Sequence, residues 1–232
     1  MNTKLMIEMY RAFRAGAPLG DVALMKFAAL RDDHPINKEL GDVAGYAPGV
    51  DVETLLALPE TSFGHAYARF LRDNGLDHLD ISPSVLERFR DNPYAVRYTV
   101  THDLHHVLCG FDAGTAGEFG VLGFTVGQGI APMGPVGTWL GRTLGPLTTP
   151  SQARQCRHNY ELGLRMGKAA KLLIAAPLES WLDRPIDDVR AELGIDALDV
   201  AAARPSGRSW LAQKLYGRRD DAPAHFGAAG AH

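Results

Sequence analysis

"NPYAVRYTVTHDLHHVLCGFDAGTAGE", residues 92–118, opens on an Asn-Pro pair and meets its next breaker only at Gly110. Asn92 can cap a helix, Pro93 fits the first turn where its missing N–H is no loss, and Gly110 suits a left-handed stop. The spacing predicts a helix from about Pro93 to Cys109. At roughly 100° per residue, His102, Asp103 and His106 fall within an arc of about 100° and share one face.

Working outward, helix signals dominate. Leu5, Met6, Met9 and Phe13 recur at helical spacing, and "DVALMKFAAL" continues the pattern after the Gly16-Pro18-Gly20 break. Asp51 reads as the N-cap of "VETLLAL", Thr61 as the start of "SFGHAYARFL" closed by Gly75, and Ser82-Pro83 as the opening of "SVLERFR". Ser151 is positioned to cap a long helix reaching roughly Ile174, and Asp183 with Pro185 starts a short one ending before Gly194. No alternating strand pattern competes and no repeat is visible. The expectation is an all-α single domain over about residues 1–200, followed by a flexible Ala-, Gly-, Arg- and Pro-rich tail at 201–232.

The 232 residues, 46% hydrophobic and 22% charged, suit one soluble globular domain with its own core. A formal charge of -3 gives no basic footprint for nucleic acid. Two cysteines, Cys109 and Cys156, and no secretory leader pattern point to a reducing, cytoplasmic setting. The charge-free run Phe119–Gly141 is long enough to cross a bilayer, but its seven glycines, Pro132, Pro135 and Gln128 argue against spanning. It reads instead as a helix lining an apolar cavity, then an irregular turn at the protein or membrane surface.

The histidine face carries the chemistry. Two imidazoles one turn apart can reach a single divalent cation, and Asp103 can either ligate it or orient an imidazole from behind. Glu118 arrives from the start of the following helix and completes a pattern HDxxHx11E. The ligand set suits zinc, while two histidines and one carboxylate with open positions also describe non-haem iron. Simpler readings exist: Thr115 to Glu118 is a capping box, His102 and His106 could be hydrogen-bonded core residues, His105 points away toward a supporting position behind the ligands or toward the surface, and Cys109 is a small core residue. Farther on, Arg154, Arg157, His158, Arg165, Lys168 and Lys171 form a basic stripe relieved by Glu161. Such a stripe is ordinarily a solvated face; the alternative is attraction to anionic headgroups or to a substrate carboxylate or phosphate.

The motif at His102, Asp103, His106 and Glu118 resembles the signature of the Coq-four family of ubiquinone (coenzyme Q) biosynthesis proteins. Residues 58–76 and 160–195 are similar to that family's upstream and closing segments, and Gln128 and Pro132 fall in register, so the likeness covers about Asp51 to Ile195. Leu122 and Thr125 depart from it, standing where relatives often carry charge. The resemblance implies an all-α, homodimeric metal protein, peripheral to the inner face of the cell membrane and associated with an anionic surface and other quinone-biosynthesis proteins. It further implies a prenyl-lipid cavity and metal-dependent loss of the ring carboxylate of a polyprenylated 4-hydroxybenzoate. His102, Asp103, His106 and Glu118 become the ligands of a divalent metal, zinc before iron, with Asp103 and Glu118 also the candidate catalytic groups. In the pocket so implied, the glycines after Phe119 would leave room for the prenyl chain. The competing functions are a non-catalytic prenyl-lipid scaffold and an HD-type phosphohydrolase, the latter drawing on His65 or His78 and Asp183 or Asp187.

Overall fold

The computed structural model describes residues 1–134, 138, 139, 143 and 150–206, and contains no β-strand among them. Six helices precede the histidine face or carry it: α1 (Thr3–Arg14), α2 (Leu19–Leu30), α3 (Val52–Leu56), α4 (Phe63–Asn74), α5 (Pro83–Arg88) and α6 (Pro93–Cys109). After it come α7 (Thr115–Gly127), α8 (Ala153–Ala169), α9 (Ile186–Leu193) and α10 (Ala197–Ala201). The chain is an all-α domain, as its periodicity predicts.

Several boundaries sit where local chemistry puts them. Asn92 accepts a bond from the Ala95 amide at the head of α6, and Gly110 closes that helix with φ 74°. Asp51 caps α3 through the Glu53 amide. Gly75 and Gly194 end α4 and α9 in the left-handed region, where a side chain would clash with its own carbonyl. The N-cap of α4 is Ser62 rather than Thr61: its hydroxyl takes the His65 amide, while the Thr61 carbonyl accepts the Ile186 amide from the start of α9.

Helix α6 is the axis of the domain. Its first half, with Tyr94, Val96 and Tyr98, joins Leu24, Phe27 and Ile36 in one apolar cluster. Its second half, with Leu104, Leu108 and Cys109, joins Phe63, Tyr67, Phe124 and Leu173 in the other. A helix buried on all sides must satisfy its polar groups internally. Arg97, with no exposed side-chain surface, does so by pairing with Glu179 at 2.6 Å and donating to the carbonyls of Tyr46, Ile174 and Ala176.

Helices α7 and α8 approach until their backbones touch. A Cβ on Gly123 would lie 2.1 Å from the Tyr160 carbonyl oxygen, one on Gly163 2.0 Å from that of Gly120, and one on Gly167 2.1 Å from that of Phe124. Gly123 and Gly127 face Gly163 and Gly167, a pair of small-residue stripes spaced by four that lets two helices close together. This corrects one expectation, because the room these glycines leave is filled by α8 and not by a prenyl chain.

The end of α8 departs from sequence too. It stops at Ala169 rather than near Ile174, because the Lys171 amide turns to the Leu193 carbonyl. Gln128 then grips both sides of the turn, donating to the Lys171 carbonyl and accepting the Leu173 amide. Nor does Ser151 cap it: Pro150–Gln152 forms a 3-10 turn, and Gln152 occupies the cap position without capping the helix through its side chain. Residues expected to begin a flexible tail are instead pinned as far as Ser206. Asn159, fully buried, exchanges bonds with the backbone of Arg204 in both directions. The rest of the expected tail, 207–232, and part of the run to Gly141 lie outside the described residues. Among those described, no helix is long and apolar enough to cross a membrane.

Candidate metal centre

His102 and His106 stand one turn apart on α6, and Glu118 on α7 faces both. One ligand atom from each lies within 4.8 Å of the other two, and this is the one such group of three among the described residues. The Glu118 carboxylate is 3.5 Å from His106 Nε2 and 3.8 Å from His102 Nε2.

The other ring nitrogens decide what these histidines can do. His106 Nδ1 lies 3.0 Å from the Asp112 carbonyl oxygen, which can only accept, so the proton sits on Nδ1. His102 Nδ1 lies 3.2 Å from Asp103 Oδ1, and an ionised carboxylate imposes the same tautomer. That leaves an Nε2 lone pair on each ring, both Nε2 atoms lying within 4 Å of the Glu118 carboxylate. This is the arrangement of metal-bound histidines, whose far nitrogen donates to a carbonyl or carboxylate. Asp103 thus orients His102, one of the two roles open to it from sequence, and is not among the three converging groups.

Charge reinforces the convergence. Burial raises the cost of ionising Glu118, yet His106, His102 and Lys26 outweigh it and hold the carboxyl down to about 2. The side chain remains 54% exposed, so water also reaches the ionised form. His106 is opposed by burial but drawn upward by Glu118 and Asp103, so its pKa rises. Glu118 is committed to the histidines rather than to a capping box: the N-cap of α7 is Gly114, and no side chain caps the helix.

Aromatic faces enclose the cluster. Phe70 stacks on His106 at 5.5 Å, and Phe27 stacks on His102 at 6.3 Å with Tyr98 tilted beside it. Lys26 Nζ lies 5.0 Å from the centre of the Phe27 ring, which places a cation beside the site. Nothing in the sequence singled out Lys26, Phe27 or Phe70, which reach the site from α2 and α4 across the fold. Asp112 was missed too. Its carbonyl orients His106, while its carboxylate accepts the Ser206 amide and, at 3.0 Å, the Ser206 hydroxyl.

His105 neither reaches the surface nor supports the ligands. It is buried against Phe124, bonded through Nδ1 to the Thr101 carbonyl, and burial pushes its pKa down to about 3. Cys109 is a core residue whose thiol burial drives upward. The residues a phosphohydrolase site would need are elsewhere. His65 Nδ1 contacts the carbonyls of Leu56 and Leu58, His78 meets the Tyr67 hydroxyl, Asp187 pairs with Arg190, and Asp183 is exposed.

Comparison with known proteins gives the chain a family. Residues 47–199 match the family model of coenzyme Q (ubiquinone) biosynthesis protein Coq4. The chain belongs to that family. It is 35% identical over 152 residues to the ubiquinone biosynthesis protein COQ4 homolog, mitochondrial, of Nematostella vectensis, covering 63% of this chain and 71% of the relative. To the corresponding protein of Danio rerio it is 33% identical over 159 residues, covering 66% and 56%. Against COQ4 of Eremothecium gossypii the coverage of the relative falls to 46%, so the chain spans about half the length of some curated members. A crystal structure described as a putative ubiquinone biosynthesis protein from Nostoc punctiforme shares the fold at a TM-score of 0.54, with 22% identity over 78% of this chain and 83% of that one.

Proposed function

We propose that this Coq4-family chain takes part in ubiquinone biosynthesis as a metal-dependent decarboxylase acting on the ring carboxylate of a polyprenylated 4-hydroxybenzoate. The observation that carries the metal is the convergence of His102, His106 and Glu118, one ligand atom of each lying within 4.8 Å of the others, with both Nε2 atoms toward the Glu118 carboxylate. His102, His106 and Glu118 would hold a divalent ion, zinc by ligand type with iron as the alternative. Such an ion supplies Lewis acidity, stabilising negative charge that develops on the ring.

The chain's own residues do the rest. Asp103 and the Asp112 carbonyl fix the two imidazoles. The faces of Phe27, Tyr98 and Phe70 give an aromatic head group apolar surroundings, and Lys26 offers a cation to its carboxylate. Loss of carbon dioxide leaves its bonding electron pair on the ring carbon, which then takes a proton. If hydroxyl replaces the carboxylate instead, the step is a two-electron oxidation and requires an oxidant such as dioxygen. A prenylated substrate resides in lipid, so the protein would work against a membrane and beside other quinone-biosynthesis proteins.

The test is turnover of a short-chain prenyl 4-hydroxybenzoate by protein loaded with zinc or iron(II), with and without oxygen. Carbon dioxide release that stops on chelation and in Glu118→Ala supports the proposal. Full ubiquinone production by Glu118→Ala in cells would refute it and leave a prenyl-lipid scaffold.

A further inference from the structure

The first half of α8 and the segment that follows α10 border an open groove of about 330 Å³, lined by Ala153, Arg154, Arg157, His158, Glu161 and Arg204. It lies outside the His102, His106 and Glu118 cluster, and its chemistry does not depend on whether that cluster binds a metal. Among the described residues that line it, three guanidiniums face one carboxylate, a surplus of two positive charges before His158 is counted. Among the described residues no carboxylate lies within ion-pairing distance of Arg154, Arg157 or Arg204, whereas Arg165 on the same helix is paired with Asp199 at 2.7 Å.

The groove is also held in shape. Arg204 is anchored by its own backbone, whose amide and carbonyl both bond the fully buried Asn159 at 2.9 Å. His158 Nε2 meets the Ala202 carbonyl at 2.9 Å, fixing the opposite wall. A solvated basic stripe needs neither a concavity nor a second strand of chain bolted across it. Guanidinium forks match phosphate oxygens in pairs, and two surplus charges match a phosphate dianion better than a monoanionic carboxylate.

We propose that this groove is a binding site for a phosphate dianion, carried either by a small soluble phosphate or by a phosphomonoester lipid headgroup. Both sources present the same oxygens, and one experiment separates them. Binding of inorganic phosphate and pyrophosphate to the whole protein is measured calorimetrically at low salt. In parallel, flotation is measured with phosphatidylcholine vesicles containing phosphatidic acid. The parent protein is compared with R154Q/R157Q, with R204Q, and with R165Q/K168Q as a control of equal charge change outside the groove. Circular dichroism confirms that each is folded, and R204Q serves if the first variant is not.

At least tenfold weaker binding in R154Q/R157Q or R204Q, with less than twofold change in R165Q/K168Q, supports the site. Soluble phosphates binding in this way identify a soluble ligand; response to vesicles alone identifies the headgroup. Equal losses in the groove and control variants, or no binding of any probe, would overturn the proposal.

Discussion

Replacing Asp103 by asparagine tests how the centre is oriented without emptying it. Asp103 Oδ1 stands 3.2 Å from His102 Nδ1, while His102 Nε2 is the atom turned toward Glu118. An amide oxygen in the same place can still accept the Nδ1 proton, but it carries no charge and the side chain can flip to present a donor. Loss of a partner behind a metal-bound histidine ordinarily lowers affinity by about 10- to 100-fold, or about 1.4–2.7 kcal/mol. Asp103→Asn should fall toward the lower figure and Asp103→Ala toward the higher, each retaining one metal per chain. Competition with a chromophoric zinc chelator, together with elemental analysis of the dialysed protein, measures both. Unchanged affinity in Asp103→Ala would refute the orienting role, and loss of stoichiometric binding would show that Asp103 is itself a ligand.

Other outcomes rest on packing and burial. His105 stays neutral to about 3 in the folded chain, against an ordinary 6.5, so below 6.5 the unfolded state binds the extra proton and stability falls with pH. By pH 4.5 that amounts to about 3 kcal/mol, and urea titrations of metal-free protein should show a shallower acid loss in His105→Leu. Gly163→Ala drives a methyl into the Gly120 carbonyl, 2.0 Å away, and should cost about 2–3 kcal/mol or more by thermal denaturation. Gly134→Ala, with no described atom within 4 Å, should be close to neutral in the same assay. Glu179→Ala leaves the buried Arg97 guanidinium without its carboxylate and should cost about 3–5 kcal/mol. The double replacement Arg97→Met, Glu179→Met should recover part of that loss, and failure to do so would deny the desolvation argument.

What could be read from sequence was local. Asn92, Asp51, Gly75, Gly110 and Gly194 announce helix ends through cap chemistry that acts within a few residues, and the structure places the ends there. The face shared by His102 and His106 follows from helix geometry alone, and Glu118 meets it because the connection between α6 and α7 is short. Where distant chain decides, sequence was silent or misleading. Gln128 grips the turn after α8 across 43 residues, Lys26 and Phe27 come from a helix near the amino terminus, and the glycines of α7 serve a partner helix that no periodicity in α7 reveals. His105 was misplaced because α6 is buried all round, so a residue on the far face still points into core.

The bond between Ser206 and Asp112 reaches further than its size suggests. Asp112 holds the proton of His106 with its carbonyl while Ser206 holds its carboxylate, and the Ser206 hydroxyl accepts the Ala116 amide two residues before Glu118. The family-model match ends at residue 199, and a chain trimmed to that boundary would keep every candidate ligand and lose the latch that steadies two of them. Shortened versions should therefore fold yet release zinc sooner, and grip on the ion would be set partly by a stretch that lies beyond the shared family core.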